Sequence, residues 1–321
     1  MQSLDTSSRA LADLRPKQHE PDVNVDLLQS GFHIEPASFT SGISTLHDEF
    51  RYNVQYADVS TYGGYDAGVF LAQSDAILWD IVGAYGLTTA LGMSNWEWGS
   101  SGFHFKNEGW FGTDTKYAGV DKLGHAYTGY LLTEYFSQRI AHQMRDGDNA
   151  IITGAILGMG VQTYVEFFDG FSGGHGFSYE DLIADGLGVG FSVLRNTVPG
   201  LREKLDFRLE YLQSELSDFA PVSDYAGQKY TLALKLAGFE EFEETPLRFV
   251  ELQVGYFAQG YTDAEREAGV KQSRDPYVAI GFNLNELVGE TSLSDTTGGL
   301  VASRAFEYLQ VPYTYVPTSS R

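Results

Sequence analysis

The spacing of apolar residues changes once along this chain, close to Pro199. Before that point they recur every three or four residues, the period of a helix with one buried face. After it they recur every second residue, the period of a strand. A chain built this way is expected to fold as helices first and strands second, the α+β class.

Four helical stretches can be read. Ser74 and Asp75 are placed to cap a helix carrying Ile77, Leu78, Ile81 and Val82 to about Met93. Asp121 opens a second, with Leu123, Tyr127, Tyr130, Leu131 and Tyr135 at helical spacing. A third covers roughly residues 149–168, and a fourth opens on Ser178-Tyr179-Glu180-Asp181, a capping-box spacing. Gly83, Gly86, Gly92, Gly154, Gly158 and Gly160 weaken these helices but allow close backbone approach. The uncharged runs 81–94 and 150–165 fall short of the roughly 18–20 apolar residues that cross a bilayer, so buried bundle helices are expected.

Beyond Pro199, Tyr230, Leu232, Leu234 and Leu236 alternate with Lys229, Thr231, Ala233 and Lys235. Val250, Leu252, Val254 and Tyr256 repeat the device, as do Val278, Ile280, Phe282 and Leu284, with a weaker version at Phe207, Leu209 and Tyr211. The expectation is a small antiparallel meander of about four half-buried strands packed on the helical block. Four strands are too few to close a membrane barrel, which needs about eight. Residues 300–310 are expected to end the sheet region as a short helix or tail. Three regions result: an extended or partly disordered arm at 1–60, where Pro16, Pro21 and Pro36 are scattered, a helical domain at 61–200, and the meander at 201–321.

Charge and composition narrow the partners. A formal charge of −22 excludes nucleic acid, which is held through clustered Lys and Arg, and disfavours docking on anionic lipid by charge. A glycan, lipid or protein partner and peripheral membrane association are compatible with it. There is no cysteine, hence no disulfide and no thiolate metal site. Met1-Gln2-Ser3-Leu4 is not a basic stretch followed by an apolar one, so no signal peptide is expected in these residues.

The polar residues of the helical block are not spread evenly. Asp121 and His125 share one helix face, Glu166 and Asp169 another, and Asp181 and Asp185 a third. In an up-and-down bundle the start of the second helix, the end of the third and the start of the fourth meet at one end. Asp121 and Asp181 sit at helix N-termini, where the dipole favours a carboxylate. Glu166 and Asp169 sit at a C-terminus, where it does not, and need Lys122, a protonated His125, a cation or nearby N–H groups. The aromatic connection holding Trp96, Trp98, Phe103, Phe105, Trp110 and Phe111 is expected to roof the bundle, and His175 to lie in an exposed glycine loop.

Asp121-Lys122-x-x-His125, Glu166-x-x-Asp169-Gly170 and Gly176-Phe177-Ser178-x-x-Asp181-x-x-x-Asp185-x-x-Gly188 resemble the pattern of the YfiM-like (DUF2279) group of predicted envelope proteins, and more distantly that of VanZ-like membrane proteins. The resemblance covers roughly residues 100–195. It implies a protein of the periplasm or outer membrane and brings no established activity with it. The function expected is an uncharacterised envelope protein with its polar cluster at one end of the block. One alternative is a hydrolase of an envelope glycan or lipid-linked substrate, using His125, Glu166, Asp169 and Asp185 for acid–base chemistry, with Asp121, Lys122, Ser178 and Asp181 in support. The other is a structural or partner-binding module. No cofactor is expected; a divalent cation held by His125, Glu166, Asp169 and Asp185 is the lesser alternative.

Overall fold

The computed structural model describes residues 64–144, 149–217 and 219–318. The arm expected at 1–60 lies outside them. Two apolar helices come first, α1 (Ala67–Ala76) and α2 (Leu78–Asn95), bent by 75° at Ile77 where one helix was expected. A long connection leads to α3 (Val120–Met144), followed by α4 (Ala150–Asp169) and α5 (Tyr179–Thr197). Ser178 caps α5 as its spacing predicts, its Oγ accepting from the Asp181 N–H at 3.2 Å.

Helices α3, α4 and α5 pack closely because glycine faces backbone at their crossings. A Cβ on Gly188 would stand 1.7 Å from the Ala126 carbonyl oxygen, and one on Gly158 would stand 2.9 Å from the Thr133 hydroxyl. Phe136, Ile140, Ala150 and Val161 close the interior between α3 and α4, with Ile77 of the α1–α2 bend.

The sheet follows as five antiparallel strands in sequence order: β1 (Leu205–Tyr211), β2 (Gln228–Lys235), β3 (Val250–Gln259), β4 (Ser273–Phe282) and β5 (Tyr315–Pro317). One more strand is present than expected, because β5 is only three residues long and carries no alternation to read. A sixth main helix, α6 (Thr297–Tyr308), precedes β5. After α6, Leu309 bridges Leu209 of β1 before the chain reaches β4, so one C-terminal stretch touches both ends of the sheet. Tyr127 and Tyr130 of α3 pack on Phe207 and Tyr230 of the sheet, joining the two regions through an aromatic core.

The polarity of this sheet is inverted. Alternation is present where expected, but its apolar members largely face outward and its charged members inward. Leu232, Leu252, Val254, Val278, Ile280 and Phe282 are exposed, with Val254 at 59% and Ile280 at 53%. Their register lines them up across the strands, Leu232 beside Val254 beside Val278, and Leu234 beside Leu252 beside Ile280 beside Val316. The other face buries Asp206, Arg208, Glu210, Thr231, Lys235, Glu251 and Gln253. There Asp206 takes Arg195 at 2.8 Å, Arg208 at 2.6 Å and Lys235 at 2.8 Å, while Arg208 also reaches Glu251 at 2.7 Å.

The helices repeat the inversion. No exposed position on α2, α3, α4 or α5 carries a charge. Ile183, Leu187 and Leu194 line the open side of α5, while Asp181, Asp185 and Arg195 lie buried on its other side. Asp80 of α2 is covered by Arg139 at 2.8 Å and by the Tyr135 hydroxyl at 2.6 Å. Helix α4 runs four residues past the expected uncharged run and is long and apolar enough to cross a membrane by length and composition, although 44% of its apolar window is buried in protein.

Candidate functional site

The bundle end does gather the residues that the topology suggested. Lys122 sits in the first turn of α3 with its ammonium between three carboxylates: Asp181 at 2.6 Å, Asp121 at 2.7 Å and Glu108 at 3.0 Å. One turn later His125 Nδ1 lies 3.1 Å from Asp185 Oδ1 and 3.6 Å from Glu166 Oε1, and its Nε2 is 3.7 Å from Asp181. Asp181 therefore stands between a lysine pole and a histidine pole. Asp169 turns aside and accepts from the Trp98 indole N–H at 2.6 Å.

Each carboxylate at the histidine pole is held by one oxygen. Glu166 Oε2 accepts the Ser178 N–H at 3.2 Å, and Asp185 Oδ1 accepts the Gln162 amide from α4. Glu166 Oε1 and Asp185 Oδ2 are buried with no hydrogen-bond partner. Both side chains are closed to solvent, while His125 keeps 20% of its side chain open. An open catalytic cleft would expose all three residues, and a completed structural network would leave no oxygen bare. The arrangement is neither.

Electrostatics follows from the count. Six buried or nearly buried carboxylates, Glu108, Asp121, Glu166, Asp169, Asp181 and Asp185, meet Lys122 and His125, with Lys106 reaching Glu108 from outside at 3.2 Å. Burial pushes the Glu166 carboxyl up to about 9 against the pull of His125, with Asp181, Asp185 and Asp169 adding to the rise. Burial likewise raises Asp169 to about 6 although the Trp98 bond opposes it. Asp181 is also raised by burial, against His125 and Lys122. At Glu108 burial would raise the carboxyl, but Lys122 and Lys106 hold it down to about 2. For His125, burial opposes the charge and is outweighed by Asp181 and Asp185, so the imidazolium persists well above the usual range. Burial and Lys116 push His175 down to about 4, and its loop is half-buried rather than open.

Glu108, Trp98 and Gln162 complete the site and were not legible in the sequence. The first two lie in a connection without helical period; Gln162 left one faint signal, as a lone amide inside an apolar helix. The aromatic connection covers the bundle end in part: Trp98 stacks on Phe168 with centroids 5.2 Å apart, while Phe105 stays largely open.

Residues 107–197 match the DUF2279 family of predicted periplasmic lipoproteins. The matched DUF2279 segment, under a third of the chain, runs from the residue before Glu108 to the end of α5 and so contains the whole cluster except Trp98 and Lys106. No curated protein and no solved structure matches the chain. The match supports an uncharacterised protein of the cell envelope.

Proposed function

We propose that this protein associates with the outer membrane by resting its uncovered apolar band against lipid acyl chains, with the His125 cluster as its functional centre. The observation that carries this reading is the inverted polarity: charge is gathered inside, and the exposed faces of α2–α5 and of the sheet are largely apolar, with Arg274 at the start of β4 the one exposed charge among the described residues of these elements. A chain with 43 acidic residues has ample charge to cover those faces if they met water. On β4 the exposed positions Pro276, Val278, Ile280 and Phe282 span about 20 Å at ~3.3 Å per residue, close to the ~25 Å apolar band of outer-membrane barrels. Exposed Glu240, Glu241, Glu243 and Glu244 lie in the turn at one end of that band, and exposed Asp263 and Glu267 lie beyond the other. The reading is of a surface lying against lipid, not of a helix crossing it, since α4 is nearly half buried in its own protein.

Flotation of the full chain with phosphatidylcholine vesicles tests this. The wild type is expected to rise with neutral vesicles, and high salt to leave it there. A Val254→Lys, Ile280→Lys double variant, changed only at exposed positions, should keep its circular dichroism and lose roughly tenfold or more in vesicle binding. Wild type left at the bottom of the gradient, or a double variant floating like wild type, would sink the proposal. Fractionation of cells decides the membrane: recovery with the outer membrane supports the assignment, and recovery with the inner membrane overturns that part of it.

A further inference from the structure

We infer that His125, Glu166 and Asp185 form a binding site for one first-row divalent cation, of which zinc or manganese suits the donor set. This rests on the cluster's being the functional centre and is independent of the lipid-facing band. The ligand atoms these residues offer lie within 4.8 Å of one another. A tetrahedral ion with bonds of about 2 Å holds neighbouring ligands roughly 3.3 Å apart. His125 Nδ1 lies 3.6 Å from the bare Glu166 Oε1 and 3.1 Å from Asp185 Oδ1, the oxygen that also takes the Gln162 amide, and these separations bracket that edge.

The second observation is the pair of bare oxygens. Glu166 is 1% exposed and Asp185 is fully buried, and each keeps an oxygen without a hydrogen-bond partner. That of Glu166, Oε1, is the atom facing His125. The opposite oxygens are fixed, Glu166 Oε2 by the Ser178 N–H and Asp185 Oδ1 by Gln162. Outer contacts of this kind orient carboxylates that ligate a metal. Surrounding charge agrees: the acids outnumber the cations around them, and a divalent ion beside a neutral His125 would offset much of the surplus. One imidazole with two carboxylates suits zinc or manganese better than the all-oxygen preference of calcium or magnesium. Three protein ligands leave a coordination position over, and the open fifth of His125 gives the side from which it is reached. The neighbouring acidic group, Glu108, Asp121 and Asp181, is already filled by the Lys122 ammonium and needs no ion.

The test begins with metal analysis of full-length protein purified from cells grown with added zinc or manganese. About one equivalent of one ion is expected. After chelation, cobalt(II) should give a ligand-field spectrum distinct from that of the aquo ion and raise the melting temperature. Glu166→Gln and Asp185→Asn are each expected to remove the cobalt spectrum. The Val254→Lys, Ile280→Lys variant should retain it, so loss of lipid binding and loss of metal are read separately. An unaltered aquo-ion spectrum with wild type overturns the inference, and so does full cobalt binding by folded Asp185→Asn. Should both site variants fail to fold, the wild-type titration decides alone.

Discussion

At the residue scale, Lys122 is the cation that the fold cannot easily lose. Its ammonium serves three carboxylates in a place closed to water, and the same charge in water would gain little from them. Lys122→Met leaves Glu108, Asp121 and Asp181 facing one another and is expected to cost about 3–5 kcal/mol, measured by urea denaturation. A loss below about 1 kcal/mol would mean that the three acids find other compensation. Some of this was readable beforehand. Glu166 and Asp169 stood out because an acid at a helix C-terminus opposes the dipole, and both proved buried and raised by burial. Asp121 and Asp181 look ordinary at helix starts, yet both are drawn inward by Lys122. For Asp181 that draw depends on a lysine about sixty residues away in the chain, which no local rule contains.

At the element scale, period and caps were enough to place α3, α4, α5 and four of the five strands. The break at Ile77 escaped because apolar spacing continues through it; β5 escaped because three residues have no period. More was hidden in the strands. Alternation says which residues share a face, but it is unchanged when the two faces exchange solvent for protein. Thus Leu232, Val254 and Ile280 were correctly grouped, while the side they occupy was decided by the Arg195, Arg208 and Asp206 network across the sheet. Close packing of α3 on α5 makes its own prediction. Gly188→Ala would push a methyl group into the Ala126 carbonyl, and the helices must part to admit it. We expect a loss of roughly 1–3 kcal/mol or more in urea denaturation, against a small change for Gly186→Ala, where nothing lies within 4 Å.

At the scale of the whole molecule, the charged interior sets the acid limit. Burial would raise Glu307, but Arg202, Arg195 and Arg304 hold it down to about 2 from an ordinary 4.5. Asp206 is lowered too, where Lys235, Arg208 and Arg195 outweigh its burial. The unfolded chain therefore binds these protons more readily than the folded one. Their contribution is complete above the ordinary carboxylate value and is lost as pH falls through the folded value. Melting temperature should fall between about pH 4.5 and pH 2, and Glu307→Gln should flatten part of that decline while lowering stability at neutral pH. A Glu307→Gln profile parallel to wild type across the acid range would refute this assignment.

The stretch that bridges Leu209 at Leu309 and then pairs with β4 has a further effect. Gln310 lies inside the sheet, bonded to Arg208 at 3.3 Å and Gln253 at 3.1 Å, so the same few residues occupy both borders and plug the space between. An unpaired strand border is a template for sticking to another chain, and here a single clasp masks two of them. It also follows every other described element in chain order. Until it arrives, the ionic interior stays wet and both borders stay adhesive, so a chain cut short before Leu309 would be expected to clump rather than merely loosen.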